Sequence, residues 1–195
     1  TTYWLRRPQL LRKILPLTVG GMANRQIARA LECAPSTVDR HLPRLGRHCL
    51  LYHRHLLQNL SPRGEVVADG LVSFEFSQFF PFEHPIAVDR DTSLILHFAD
   101  APLRRSGRMT DAQKQRRVQL EAQLGRPDPK AVERAMREVL EVSLAGAEQA
   151  IVHTDEHQAY PRAMRGLSGR IEHQTVSSRQ HRDRRNRLFE VNVLD

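Results

Sequence analysis

Two acidic residues lie within or directly after segments that are otherwise apolar and rich in β-branched side chains. Asp69 lies in the middle of residues 65–76, and Asp155 follows directly after the apolar residues 150–154. A buried carboxylate costs free energy unless a partner offsets its lost hydration, and a divalent cation is such a partner. We therefore predict that Asp69 and Asp155 lie on two strands of one sheet and bind Mg²⁺.

Three further aspartates are alternative ligands. Asp89 lies near the end of a predicted strand and is the strongest of the three. Asp91 is more simply explained as a turn residue between strands, and Asp100 comes where the next strand ends before Ala101 and Pro102.

The bulk composition is that of a globular protein. The chain has 195 residues, of which 40% are hydrophobic and 27% charged, which allows one ordinary domain and a small accessory one. No apolar run approaches the roughly 20 residues of a membrane helix, and no secretory signal is recognisable at the N-terminus. We expect a soluble, cytoplasmic protein, and the missing initiator Met suggests a fragment.

Positive charge is concentrated at the N-terminus. Residues 1–62 contain ten Arg and Lys side chains against two acids, whereas residues 63–101 contain two Arg against seven acids. Residues 102–128 are basic again. A basic module beside an acidic strand region indicates a polyanion binder joined to a metal site.

The basic N-terminal block has the pattern of a helix-turn-helix. Two helical segments, 24–32 and a second beginning at Ser36, flank a tight connection, and the small Ala28 allows them to approach closely. The pattern resembles the helix-turn-helix of transposases and bacterial regulators, from which it departs at Glu32, where Gly is common. In the usual geometry, the side chains that face DNA are Arg25, Ser36, Thr37, Arg40, His41 and Arg44.

The remaining segments predict an α/β domain. Residues 85–90 and 92–100 are strands that follow residues 65–76 in an antiparallel meander, and residues 150–154 and 170–176 are later strands separated by a short helix at 160–164. A helix that begins near Pro129 and ends at Gly146 precedes the fourth strand. A basic insertion at 103–127 contains a short helix capped by Thr110 or Asp111. The predicted domains are a helix-turn-helix domain, 1–60, and a mixed-sheet domain, 64–195.

This order of three antiparallel strands, helix, strand, helix and strand matches the ribonuclease-H-like fold. Residues 154–160 resemble the second-acid motif of DDE insertion-sequence transposases, in which an aromatic residue (here Tyr160) follows the Asp by five positions, and residues 67–71 are similar to their first-acid strand. The resemblance covers nearly the whole chain. It implies a third carboxylate about 35 residues after the second. Glu190 has that spacing, and Asp195 is a competitor.

The resemblance also implies the chemistry. Asp69, Asp155 and the third acid would hold two Mg²⁺ or Mn²⁺ ions for in-line displacement at a DNA phosphodiester. The partners would be double-stranded DNA (terminal repeats and target) and further copies of the chain in an oligomer on DNA. Because Glu190 lies so near the end, we predict a C-terminally truncated fragment. Four arginines are candidates for steering DNA into the site: Arg179, Arg182, Arg184 and Arg185.

Two other functions fit the same residues. One is a non-catalytic helix-turn-helix regulator whose C-terminal domain binds a ligand or dimerises. The other is a structure-selective ribonuclease or an integrase of the same fold. Metal-dependent cleavage that requires Asp69 and Asp155 would distinguish an enzyme from a regulator.

Overall fold

Three helices form in the basic N-terminal block, whose apolar residues recur at helical spacing. They lie in the first of two compact units, residues 1–60 and 61–195. The computed structural model describes residues 5–58 and 64–194. The helices of the first unit are α1 (Gln9–Val19), α2 (Asn24–Ala30) and α3 (Pro35–Gln58). Their apolar faces share one core of fully buried side chains: Leu10, Ile14, Ile27, Ala28 and Val38.

The second unit is a mixed α/β structure. Its strands are β1 (Glu65–Phe74), β2 (Pro81–Asp89), β3 (Ile95–Phe98), β4 (Ala101–Pro102), β5 (Gln149–Thr154) and β6 (Arg170–Thr175). Its helices are α4 (Asp111–Leu124), α5 (Ala131–Ser143), α6 (Ala159–Ala163) and α7 (Phe189–Asn192). The short strand β4 and the early start of β2 differ from the predicted elements.

The strands form one sheet in the order β3-β2-β1-β5-β6, with β4 paired to β2 outside this path. β2 pairs antiparallel with both β1 and β3, whereas β5 is parallel to both β1 and β6. Pairing between β1 and β5 covers only residues 65–67 of β1, so the later part of β1 extends past β5.

Helices cover the sheet, and alternation along each strand determines which side chains meet them. The short α7 packs against β1 and β2, where Val67, Ile86 and Val88 form a core cluster with Val176, Leu188 and Val191. α5 packs against β2, β3 and β4 through a buried stripe that includes Met136, Val139 and Leu140.

α4 contributes no buried residue of its own. Thr110 caps it as predicted, because its Oγ1 accepts a hydrogen bond from Gln113 N–H. α5 begins later than predicted, at Ala131, and Asp128 accepts a hydrogen bond from the N–H of Lys130 before the helix starts. No helix among residues 5–58 and 64–194 is long and apolar enough to span a membrane.

Candidate nucleic-acid and metal sites

The helix-turn-helix of the first unit consists of α2, a short turn and α3. Ala28 and Val38 are almost completely buried where the two helices pack together. Glu32, in the turn, has a φ of 49°, a left-handed conformation that favours glycine. The departure from Gly noted in the sequence therefore occurs at a position where the backbone does adopt the glycine-favoured conformation.

Most of the predicted DNA-facing side chains are accessible. Arg25, Ser36 and Arg40 are exposed, and Thr37 and Arg44 are half-buried. Arg40 Nε donates to the carbonyl of Ser36, which leaves the end of the guanidinium for other acceptors. These positions suit contacts with phosphates and base edges.

His41 departs from the prediction that it faces DNA. Its side chain is 8% exposed, and its buried Nε2 has no hydrogen-bond partner. The departure follows from helical geometry, because His41 comes three residues after the core residue Val38 and so lies on the same side of α3.

In the second unit, the sheet register brings Asp69 and Asp155 towards each other. Val67 of β1 is paired with His153 of β5 in a parallel ladder. Asp69 lies two residues further along β1, and Asp155 lies two residues after His153, directly past the end of β5. Two residues further along, side chains return to the same face of a sheet. The structure therefore brings both predicted acids to one edge of the β1–β5 pair, just beyond the last pair of the ladder.

Two residues that the sequence analysis did not assign to the site join this edge. The hydroxyl of Tyr160 lies 3.4 Å from Asp69 Oδ1 and 3.4 Å from Glu83 Oε1. Tyr160 and Glu83 are 2% and 6% exposed. In the sequence, Tyr160 stands out only as part of the motif at 154–160, and the signal for Glu83 is an acid beside the apolar residues of β2.

The surroundings raise the pKa of two of these carboxyl groups, those of Asp69 and Glu83. Burial raises the pKa of Asp69, and the Asp155 carboxylate raises it further, while the hydrogen bond from Gly70 N–H opposes the rise. Burial also raises the pKa of Glu83, against the opposing influence of His157. The pKa of Tyr160 is raised by burial and by the negative charge of Glu83 and Asp69. Such a set of buried acids favours a positive partner.

The third predicted acid, Glu190, lies on α7, which packs against β1 and β2. Its Oε2 is buried and has no hydrogen-bond partner. Asp195 lies outside the described residues. Within 5–58 and 64–194, no three His, Cys, Asp or Glu side chains are arranged so that they could hold one metal ion.

The alternative aspartates have structural roles instead. Asp89 accepts hydrogen bonds from the N–H and hydroxyl of Thr92 and so closes the turn after β2. Asp91 is exposed within that turn. Asp100 pairs with His84. Among the candidate steering arginines, Arg182 lies close enough for its charge to lower the pKa of Asp69.

A second charged cluster lies on β1 and β5. Glu65 Oε1 is 2.5 Å from Nε2 of the fully buried His153 and also pairs with Arg90. Burial alone would raise the pKa of Glu65, but the hydrogen bonds from His153 and Arg90 bring it below its ordinary value. This cluster ties β1 to β5 in the stretch where the two strands are paired.

The first unit thus contains a helix-turn-helix DNA-binding domain. Residues 12–48 match the bacterial regulatory proteins of the luxR family (GerE). No curated protein matches the chain.

The chain also aligns with a solved structure, a chain in the cryo-EM structure of a simian T-cell lymphotropic virus intasome in complex with the PP2A regulatory subunit B56 gamma. The identity is 17%, the alignment covers 70% of this chain, and the TM-score is 0.26. This chain spans 42% of the length of that intasome chain. A similarity of this size carries no argument about fold or function.

Proposed function

We propose that the chain is a DNA-binding polynucleotidyl transferase of the DDE transposase type, with a ribonuclease-H-like second unit. The observation that carries the proposal is the parallel register of β1 and β5, which brings Asp69 and Asp155 to one edge of the sheet. Strand order β3-β2-β1-β5-β6, with three antiparallel strands followed by two parallel ones, supports the ribonuclease-H-like assignment.

The donor set suits a hard divalent cation. Asp69 and Asp155 offer carboxylate oxygens, the ligands that Mg²⁺ prefers, and Glu190 has a buried oxygen without a hydrogen-bond partner. Since no three-ligand group is preformed among the described residues, Glu190 has to approach the two aspartates when the ion and DNA bind. Bound there, Mg²⁺ or Mn²⁺ would activate a hydroxyl nucleophile and stabilise the leaving oxygen of a phosphodiester.

The chain's own residues have distinct parts in this proposal. Asp69 and Asp155 hold the ion. The Tyr160 hydroxyl contacts both Asp69 and Glu83 and so restrains the Asp69 side chain. Arg182 attracts the DNA phosphates, and the helix-turn-helix selects the DNA.

The test measures metal binding and DNA cleavage together. Mn²⁺ binding is followed by electron paramagnetic resonance, and cleavage and strand transfer are assayed on DNA that carries the element's terminal repeats. We expect Asp69→Asn and Asp155→Asn each to weaken Mn²⁺ binding and to abolish cleavage. Asp91→Asn, which removes an exposed turn acid, should leave both unchanged.

A non-catalytic DNA-binding regulator is the second candidate. It is favoured by the match of residues 12–48 to a family of bacterial regulatory proteins and by the lack of a preformed three-ligand group in the described part of the chain. DNA binding that persists without Mn²⁺ binding or cleavage would reject the transferase and leave the regulator.

A further inference from the structure

The second unit has a cavity of about 300 Å³ between the end of the β1–β2 hairpin, the segment that follows β4, and α4. Much of its wall is apolar, and the aromatic part comes from the turn before β2. The apolar side chains include Phe79, Phe80, Leu103, Leu120 and Leu124. Charged side chains that form defined contacts make up the rest of the wall.

Four arginines and one acid make up the charged part of the wall: Arg104, Arg105, Arg117, Arg126 and Glu121. Arg104 forms a two-pronged pair with Glu121, with Nε–Oε1 and Nη2–Oε2 distances of 2.8 and 3.0 Å. Arg117 Nη1 donates to the carbonyl of Arg105, and Arg105 Nη2 donates to Gln78 Oε1. These contacts hold three of the four guanidinium groups in place and leave the wall with an excess of positive charge.

Two donors in this wall lack acceptors. Nε of Arg105 and Nε of Arg117 are buried and have no hydrogen-bond partner. Glu121 Oε1, 3.6 Å from Arg117 Nε, is beyond hydrogen-bonding distance. The four arginines that line the cavity give its wall an excess of positive charge, so the cavity favours a ligand that brings acceptor oxygens or nitrogens.

The wall combines apolar and positively charged side chains, and this combination restricts which ligands fit the cavity. Aromatic and aliphatic side chains favour a flat ring, and fixed guanidinium donors favour phosphate oxygens or the acceptor edge of a base. A nucleotide has both parts. An adjoining cleft of about 330 Å³ is lined by Phe74, which is 61% exposed, so an aromatic surface continues beyond the cavity.

We propose that this cavity binds one unstacked nucleotide of a DNA strand, with its base against Phe79, Phe80 and Leu120 and its acceptor atoms on Arg105 and Arg117. The nucleotide belongs to DNA in this proposal because the same chain contains a helix-turn-helix DNA-binding domain. The inference does not depend on the catalytic proposal, since neither Asp69 nor Asp155 lines the cavity.

The experiment compares two labelled DNAs of the same sequence, one blunt and one with a short single-stranded overhang, by fluorescence anisotropy with the full chain. We expect the overhang to tighten binding about tenfold, the typical effect of stacking one base on a protein surface. Arg117→Gln should remove this preference. Leu124→Glu should also remove it, because it adds a negative charge at the cavity wall. Leu124 is 69% exposed, so this second variant keeps the fold.

Arg116→Gln is the matched control. Arg116 is exposed on the same helix, does not line the cavity, and carries the same charge. The preference for the overhang should survive in this variant.

Three results would overturn the proposal. They are equal binding of the two DNAs by the unaltered chain, a preference that survives Leu124→Glu, and an equal loss in Arg116→Gln and Arg117→Gln. If the unaltered chain showed no preference but bound free dAMP, the occupant would be a free nucleotide and the proposal would also fail.

Discussion

Glu65 shows how one side chain can couple two distant segments. It contacts His153 and Arg90, and these contacts bring its pKa below its ordinary value of 4.5. A lowered pKa in the folded state means that the ionised form stabilises the fold. This stabilisation is present above the unfolded pKa and is lost as the pH falls through the folded one.

We therefore expect Glu65→Gln to lower the free energy of unfolding at pH 7 by about 1.5–3 kcal/mol, the range for hydrogen bonds to charged groups. At a pH below the lowered pKa of the folded-state Glu65, the deficit should shrink, because the side chain of the unaltered chain is then protonated as well. Differential scanning calorimetry at both pH values measures the change. Glu148→Gln, at an exposed acid, is the control, and a deficit of equal size at both pH values would contradict the prediction.

Gly70 lies against a buried acid. An added Cβ would overlap the carboxyl group of Glu83, with Glu83 Cδ only 2.6 Å away. Glu83 is 6% exposed and has little room to move. We expect Gly70→Ala to destabilise the second unit by about 1–3 kcal/mol, the usual cost of overpacking.

Chemical denaturation followed by circular dichroism checks this expectation. Gly64→Ala is the control, because a Cβ there meets no atom within 4 Å. Equal unfolding midpoints for the two variants would contradict the prediction, because they would mean that the Glu83 side chain moves to make room for the added Cβ.

At this scale the sequence indicated that Asp69 and Asp155 lie close together, but it revealed only part of their surroundings. Asp69 and Asp155 were recognisable because each is a charged residue in or directly after an apolar strand. The contacts of Glu83 with Tyr160, 77 residues away, depend on the sheet register and on α6. His41 was assigned to the DNA face because residue type and spacing do not reveal how deeply a partly polar side chain is buried.

The helix α5 illustrates how an element depends on its buried face. Val139 is fully buried and Val142 is 47% exposed on the same helix. Val139→Ala should destabilise the second unit by about 2 kcal/mol through lost burial and the remaining cavity. Val142→Ala removes the same atoms at the surface and should change the unfolding free energy by less than about 0.5 kcal/mol. Urea titrations of both variants give the comparison, and similar losses would mean that α5 is not packed as described.

β2 shows why strand boundaries were harder to predict than strand existence. Proline cannot donate to a ladder, yet β2 contains both Pro81 and Pro85. In the structure the carbonyls of both prolines accept from residues after β3, namely Leu103 and Ala99. Their polar groups therefore point away from β1, and the β1–β2 ladder needs no N–H from either residue. Only the tertiary arrangement reveals this orientation.

For the molecule as a whole, the excess of positive charge predicts DNA binding that weakens with salt. The net charge is +8, and residues 1–62 contain much of the basic surplus. Arg40→Ala should weaken DNA binding and reduce the slope of log K against log salt by about one, because one phosphate contact is lost.

Arg54→Ala is the matched control for that measurement. Arg54 is exposed on the same helix but lies outside residues 12–48. The slope of log K against log salt for Arg54→Ala should stay close to that of the unaltered chain. An equal change in both variants would indicate that general charge, and not the helix-turn-helix face, governs the affinity.

The parallel neighbour of β1 is synthesised long after β1 itself. Glu65 and His153, which share a hydrogen bond, are 88 residues apart, and the intervening chain contains β2, β3, β4, α4 and α5. Closing so long a loop is slow, so the antiparallel hairpins form while one edge of β1 still has no partner. An unpaired edge invites pairing with other chains. The nascent protein is consequently most vulnerable to aggregation before the ribosome has delivered β5.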